Sequence, residues 1–252
     1  MSGISILIVG LFLPLFPLSM IFNELFSRFT SAKLRIALLI VWPQVGIILA
    51  YLFEVNIPDW VITWALFTAL LYAFRGLTLR EIGLWTSFIA TSSWAILWVV
   101  LDSDTTFSQL MFYTLGLSLP LCLLVLLCGE LEKQFGAAYT GLYNGLAESL
   151  PRFSGVLVFV ILAVVATPLF PGFTVMLTAI FSTSASSIIT GVTISIVWLF
   201  WTWAGARLLQ DLIVGTPKEN GKVDLSLNTT WAYTAALGLL IVGGIYSIGG
   251  LS

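Results

Sequence analysis

The chain has 252 residues, of which 59% are hydrophobic and only 9% are charged, and its mean hydropathy is +1.07. A water-soluble domain carries about 25% charged residues, so this composition excludes a soluble enzyme, because a globule could not hide so much apolar surface. The net charge of −2 gives no basic field for nucleic acid, and the absence of histidine excludes His-ligated haem or metal and His-dependent catalysis.

Apolar runs of about 20 residues, bounded by charges or by Pro and Gly, predict helices that span a membrane. In chain order the predicted spans are Ile4–Phe22, Ile36–Phe53, Ile57–Phe74, Ile82–Leu101, Phe107–Cys128, Gly155–Phe170, Ile188–Leu209 and Thr230–Ile248. The predicted fold class is therefore an all-α, polytopic membrane helix bundle.

The segment Pro171–Ser187 is ambiguous, because it opens with Pro-Gly, continues as an apolar run and turns polar from Ser182 onwards. It fits either a separate broken span or a re-entrant half-helix, since irregular backbone at membrane depth persists only where protein or water satisfies it. The sequence therefore predicts eight or nine transmembrane helices, with Pro171–Ser187 broken or re-entrant.

The charges between the predicted spans orient the chain. The first, third and fifth connections carry Lys or Arg, whereas the second and fourth carry only acidic residues. Because Lys and Arg remain on the cytoplasmic side, the odd connections are expected to be cytoplasmic and the N-terminus outside. The last connection, with Arg207, Lys218 and Lys222, has the cytoplasmic pattern, and this parity favours eight full spans.

A proton path through a membrane requires titratable side chains near the midplane, where they are costly and persist mainly when they work. The predicted spans hold essentially none, since the acidic and basic residues fall at span edges. Polar residues inside the spans are chiefly hydroxyls, clustered at 86–93 and 178–195. They either hydrogen-bond helices together or line a wet path, and the first reading is favoured.

The residue pattern offers no nucleophile–base pair, metal cluster or Gly-rich phosphate loop. Glu130, Glu132 and Glu148 are the densest carboxylates, and they are interpreted as solvated loop charges. Cys122 and Cys128 lie in one apolar run and are interpreted as packing residues. We therefore expect no catalytic residue, no metal and no cofactor in this chain itself.

Several short segments occur in the order of motifs in a known family. The run Arg80–Ser87 resembles the Asp-Leu-Lys-Arg-Leu-Leu-Ala-Tyr-Ser-Ser motif of the antiporter-like subunits of respiratory complex I, and the family includes Mrp antiporters, membrane-bound hydrogenases and inorganic-carbon accumulators. The similar segments that accompany it are Leu13–Pro17, Gly129–Lys133, Gly141-Leu142, Leu150-Pro151 and Ala166–Phe173.

The resemblance also has departures. The two charges that family members carry inside the membrane would fall near Pro120 or Leu121 and near Val175 or Met176, and both are absent. The resemblance implies one membrane domain, with residues 1–56 as two opening helices, 57–215 as the remnant of the second antiporter-like repeat, and 216–252 as a loop and last helix. It implies a shortened paralogue that has lost its central ionisable axis.

Two functions follow as expectations. The first is an accessory subunit of a proton- or sodium-coupled complex in a bacterial inner membrane, packed against a full-length antiporter-like protein or docking a soluble redox or inorganic-carbon subunit. Such a complex could be an NADH/quinone oxidoreductase, a hydrogenase or a carbon-uptake system. The second is a stand-alone channel or transporter for an ion or small neutral solute.

Six charged residues are the candidates for any remaining proton path or for a subunit interface. The pairs Arg207–Asp211 and Glu130–Lys133 are spaced to meet on one helix face. With the other two they would form the cytoplasmic rim of a half-channel shared with a partner. The six residues are Arg80, Glu81, Glu130, Lys133, Arg207 and Asp211.

Overall fold

The computed structural model describes residues 2–103, 105–141, 144–184, 187–216 and 223–249. Within these residues all named elements are helices, and one isolated antiparallel bridge joins Glu81 to Tyr139. The helices are α1 (Ser2–Phe12), α2 (Ser19–Arg28), α3 (Ala32–Leu52), α4 (Asp59–Gly76), α5 (Ile82–Leu101), α6 (Phe107–Phe135), α7 (Leu146–Ser149), α8 (Pro151–Val164), α9 (Pro171–Ser184), α10 (Ile188–Ile213) and α11 (Leu227–Gly249).

Among the described helices, α3, α5, α6, α10 and α11 are long and apolar enough to cross a bilayer, as their lengths of 20 to 29 residues indicate. They coincide with five predicted spans, those at 36–53, 82–101, 107–128, 188–209 and 230–248. The all-helical class is thereby confirmed for the part of the chain that the structure describes.

The first predicted span, Ile4–Phe22, is wrong as a single helix, because the chain breaks between α1 and α2. Pro14 and Pro17 supply the reason, since proline has no N–H to donate and its ring clashes with the preceding turn. Tryptophans from other helices bond the carbonyls of the break: Trp98 Nε1 donates to Leu13 O at 3.0 Å. Such bonds satisfy the irregular backbone without water.

A second interruption corrects the predicted span Gly155–Phe170, because α8 ends at Val164 and α9 begins at Pro171. Ala166 and Leu169 have φ values of 56° and 86°. These values lie in the left-handed region, which residues other than glycine rarely adopt. The irregular carbonyls are again bonded, since Thr167 N donates to Leu162 O at 3.1 Å and Trp198 Nε1 donates to Val165 O at 3.0 Å.

The described part of Pro171–Ser187 forms one helix, α9, of 14 residues, and residues 185–186 lie outside the described ranges. A helix of that length is about 21 Å long, which is shorter than the hydrocarbon core of about 30 Å. The interruption that the structure describes precedes Pro171, at residues 165–170, and the predicted break within Pro171–Ser187 stays a prediction because residues 185–186 are not described.

Helix α5 forms the centre of the bundle, and 89% of its most apolar stretch is buried. Its hydroxyls bond neighbouring helices: Ser92 Oγ donates to Ala69 O at 2.7 Å and accepts from Trp201 Nε1 at 2.9 Å. Thr91 accepts from Asn23 Nδ2 at 3.1 Å. The hydroxyl cluster at 86–93 thus joins α5 to α2, α4 and α10, as the favoured reading of that cluster predicts.

Candidate functional site at the charged end of the bundle

The charged side chains separate between the two ends of the bundle. All described Lys and Arg residues lie where α2, α4, α6 and α10 end and where α3, α5, α8 and α11 begin. We call this the basic end, and its cations are Arg28, Lys33, Arg35, Arg75, Arg80, Lys133, Arg152 and Arg207.

The opposite end is acidic. It carries Glu54, Asp59 and Asp102, and the structure describes no Lys or Arg there. Burial, together with the nearby Asp59 carboxylate, raises the pKa of Asp102 above its usual range. This separation of acidic from basic residues agrees with the alternation of charge between the predicted connections.

Among the described cations of the basic end that form an ion pair, Arg35 has the least exposed side chain. Its side chain is 11% exposed, and its Nη1 lies 3.7 Å from Glu132 Oε1. Its Nε donates to Phe29 O at 2.7 Å, and its guanidinium lies 5.4 Å from the centre of the Phe26 ring. These contacts anchor the start of α3 to the ends of α2 and α6. Arg35 and Glu132 were not among the predicted site residues.

Gly83 brings Arg35 towards Glu81. A Cβ built on Gly83 would lie 3.4 Å from Arg35 Nη1 and 3.7 Å from Glu81 Oε1. The glycine at the start of α5 therefore lets a guanidinium and a carboxylate border the same small space. The sequence of Arg80–Ser87 does not predict that Arg35 lies near Glu81, because Arg35 belongs to a helix about fifty residues earlier.

The predicted pair Arg80 and Glu81 is held against the loop that follows α6. Thr140 N donates to Arg80 O at 2.8 Å, and Ile82 N donates to Ala138 O at 3.0 Å. Tyr139 OH donates to Glu81 Oε2 at 3.3 Å. The Glu81 carboxylate raises the pKa of Tyr139, because ionisation would place two negative charges side by side.

A Glu81→Gln variant is therefore expected to lower the Tyr139 pKa back towards its ordinary value. The contribution of this contact to stability is present while Tyr139 is protonated and is lost as pH rises through the raised pKa. A titration followed by NMR of ¹³C-labelled tyrosine, assigned with Tyr139→Phe, measures the change. The exposed Glu148 serves as the control, and Glu148→Gln should leave the Tyr139 pKa unchanged; equal shifts would contradict the assignment.

Glu130 and Lys133 form the ion pair that their spacing predicts, with Nζ 2.8 Å from Oε1. The lysine side chain is 72% exposed, so the pair contributes little to stability. Beside it lies a cavity of about 430 Å³ whose wall includes Glu130, Asp224 and Ser226.

Asp224 has a structural role that the sequence did not reveal. Its carboxylate accepts from Arg152 N at 2.8 Å and from Phe153 N at 3.0 Å, at the first turn of α8. A carboxylate at a helix N-terminus satisfies free N–H groups and suits the helix dipole. The segment before α11 is thereby fastened to α8, more than seventy residues away in sequence, where local pattern carries no signal.

Arg207 and Asp211 occupy the last turns of α10. Arg207 Nη1 donates to Leu77 O, which follows α4, so the guanidinium fastens α10 to the end of that helix. Asp211 is half-buried one turn further along. The six predicted residues therefore share the basic end, where they fall into three groups: Arg80 with Glu81, Glu130 with Lys133, and Arg207 with Asp211.

The described interior of the bundle contains no Asp, Glu, Lys or Arg away from the helix ends. The positions where the resemblance would place two membrane charges are filled by apolar side chains, and Leu121, Val175 and Met176 are each at most 1% exposed. The site can therefore bind charged groups at one surface, but the described core offers hydroxyls, thiols, an amide and indoles in place of acidic or basic side chains.

Comparison with known proteins rests on structure. No protein-family model matches the sequence, and no curated protein matches it significantly. A chain of respiratory complex I from Thermus thermophilus with bound NADH superposes with a TM-score of 0.83 at 18% identity. A chain of the Mrp complex from Dietzia sp. DQ12-45-1b gives 0.81 at 14% identity, and one of an archaeal membrane-bound sulfane sulfur reductase gives 0.77 at 15%.

This chain has a complex I/Mrp-like fold. The superpositions cover 96% of it and 54%, 55% and 51% of those three chains respectively, so the chain spans about half the length of the solved chains it matches. The complex I/Mrp-like fold is the one that the resemblance drawn from Arg80–Ser87 and its companion motifs implies. The matching chains belong to multisubunit membrane complexes. Because five of the helices that the structure describes are able to span a bilayer, this chain is an integral membrane protein.

Proposed function

We propose that the chain is an accessory integral membrane subunit of a larger proton- or sodium-coupled complex, without a complete proton path of its own. The observation that carries the proposal is a complex I/Mrp-like fold whose described core holds no acidic or basic side chain. A proton relay needs groups that gain and lose protons within the membrane. Hydroxyls already bonded between helices are poor substitutes.

The hydrogen bonds around α5 support a structural use of its polar residues. Asn23, Thr91, Ser92 and Trp201 are all at most 7% exposed, and each is bonded to another group of the bundle. Bonds of this kind hold helices together in lipid, where no hydrophobic force acts between them. The polar core therefore stabilises a fixed arrangement that a larger subunit can pack against.

The partner we propose is a full-length antiporter-like subunit, with residues 57–215 as the counterpart of that family's second repeat. The six predicted residues of the basic end would contribute to the interface, or to a half-channel completed by the partner. Exposed cations there, such as Arg28 and Lys133, suit a soluble redox or inorganic-carbon subunit as a second partner.

The orientation we propose places the basic end in the cytoplasm, the acidic end outside, and the chain in a bacterial inner membrane. The separation of Lys and Arg from Glu54, Asp59 and Asp102 supports this arrangement. It corresponds to eight crossings with the N-terminus outside, because a ninth would place the connection between α10 and α11 on the outer face. In that arrangement α8 and α9 are two parts of an interrupted segment.

Isolation from native membranes tests the proposal. The chain, tagged at its C-terminus and expressed at its natural level, is extracted in a mild detergent and its particle mass is measured by native mass spectrometry. We expect a particle containing an antiporter-like subunit in stoichiometric amount. A double charge reversal, Arg80→Glu with Lys133→Glu, should reduce partner recovery more than the variant Glu54→Lys at the acidic end. Recovery of a lone monomer would contradict the proposal.

A second candidate function, a stand-alone channel or transporter, is favoured by the two interrupted segments. Interrupted helices can bind ions or solutes through backbone groups without charged side chains. In this chain, however, carbonyls at both interruptions accept bonds from Trp98 and Trp198. These bonds occupy groups that an ion would need, so the accessory role is the better supported.

A further inference from the structure

A groove unrelated to the basic end runs along the outside of the bundle between α6 and α11. Its inner part is a cavity of about 350 Å³ at mid-span, whose lining is almost entirely apolar and includes Leu119, Leu123 and Leu239. Its outer part is a cavity of about 670 Å³ near the acidic end. Phe112 borders both, so the two cavities adjoin.

Glycines and a proline form the floor of the groove. Gly116 lies so close to α9 that a Cβ built on it would be 2.6 Å from Pro171 Cβ. Gly243 has more room, since its Cβ would lie 3.5 Å from Phe112 Cζ and 3.8 Å from Pro171 Cγ. The absence of a side chain at Gly243 therefore leaves a slot that a leucine would fill.

The size of the slot decides what can enter it. From Phe112 to Leu123 the groove follows α6 for about 16 Å, and its inner cavity has a volume of about 350 Å³. A helix about 10 Å wide would occupy roughly 1,250 Å³ over the same length. One extended hydrocarbon chain fits such a slot, whereas a partner helix could only cover it from outside.

The mouth of the groove decides which headgroup it suits. It is lined by neutral polar side chains, among them Ser108, Gln109, Tyr246 and Ser247. The same end of the bundle carries Glu54, Asp59 and Asp102, and the described residues place every Lys and Arg at the other end. A net negative headgroup would find repulsion there, whereas a headgroup that also carries an ammonium would be attracted.

We propose that the α6–α11 groove binds one acyl chain of a zwitterionic phospholipid, whose headgroup lies at the mouth beside Ser108, Gln109 and Ser247. The apolar slot provides the affinity through close van der Waals contact along the chain, because no hydrophobic force acts between a lipid tail and a protein surface that already faces lipid. The acidic end provides the preference for an ammonium-bearing headgroup. This binding site does not depend on the proposed function.

Lipid retention tests the proposal. The purified chain is exchanged into nanodiscs of equal phosphatidylethanolamine and phosphatidylglycerol, re-extracted, washed and analysed for bound lipid by native mass spectrometry. We expect phosphatidylethanolamine to be retained by the native chain and to fall at least about tenfold in Gly243→Leu, because the leucine occupies the slot and removes the contacts of the lipid tail. Gly238→Leu, on the same helix with no atom within 4 Å of its Cβ, is the matched control and should retain the lipid.

A measurement on the native sequence makes the test independent of folding. Phosphatidylethanolamine with a diazirine at mid-tail should crosslink mainly to Leu119, Leu123 and Leu239. Equal retention by the two leucine variants, preferential retention of phosphatidylglycerol, or crosslinks spread evenly onto α10 would overturn the proposal. So would crosslinking in native membranes that shows a protein helix filling the groove.

Discussion

A Gly244→Ala variant will fail to reach the native fold, or will reach it with a free energy of unfolding lowered by about 3 kcal/mol or more. Gly244 lies on α11 where that helix crosses the interruption between α8 and α9. A Cβ there would be 2.1 Å from Leu169 O and 2.8 Å from Leu169 C. Both atoms belong to backbone, so no side chain can turn away to make room.

The close approach of Gly244 to the Leu169 backbone positions the interrupted segment between α8 and α9 against α11. Leu169 has a φ of 86°, and this conformation directs the interrupted segment against α11. The structure therefore places a strained backbone against the one residue type that lacks a Cβ. Unfolding in sodium dodecyl sulfate from detergent micelles measures the loss.

Gly238→Ala is the matched control for this variant. Gly238 lies on the same helix, is exposed, and has no atom within 4 Å of its Cβ position. Because alanine is the better helix former, the control should be unchanged or slightly more stable. A similar loss in both variants would show that glycine on α11 matters for some reason other than its contact with Leu169.

The second large effect is expected at Asn23, the buried amide that joins α2 to α5. Its Nδ2 donates to Ser19 O at 3.0 Å and to Thr91 Oγ1 at 3.1 Å, and its side chain is 7% exposed. Asn23→Leu keeps the branched shape of the side chain, with a larger volume, and removes both bonds. We expect a loss of about 2 kcal/mol in the free energy of unfolding, which is within the range for a buried hydrogen-bonded group.

A double-mutant cycle separates the Asn23–Thr91 bond from changes in packing. Thr91→Val is nearly isosteric, and the two changes together should cost less than their sum by about 0.6 to 1.7 kcal/mol. The exposed neighbour Glu24 gives the control, because Glu24→Ala breaks only the surface pair with Arg28 and should be nearly neutral. Strict additivity of the two changes would contradict the bond.

Much of the fold follows from hydropathy alone. The five long apolar helices were predicted with their centres correct, because a run of about 20 apolar residues has few alternatives to a spanning helix. The interruptions were not predicted well. Pro14 and Pro17 carry a local signal for the first, but the backbone between Val164 and Pro171 is stabilised by Trp198 and by contact with Gly244, which are distant in sequence.

The candidate site was predicted in location and only partly in composition. Charges at span edges identify the basic end, so Arg80, Glu81, Glu130, Lys133, Arg207 and Asp211 all lie there. The contacts that organise it involve Arg35, Tyr139 and Asp224, whose partners come from other helices. A single sequence predicts at which end of the bundle a charged residue lies. It does not predict which residues about 50 to 75 positions apart contact each other, because those contacts depend on how the helices pack.

The proposed function requires that this chain, taken alone, does not carry protons across a membrane. The most direct measurement is the decay of an imposed pH gradient in liposomes that contain only the purified chain, followed with an internal pH-sensitive dye. Because the described core lacks acidic and basic side chains, we predict the same decay rate as in protein-free liposomes, while an added protonophore collapses the gradient at once. A rate that increases in proportion to the amount of reconstituted chain would contradict the account.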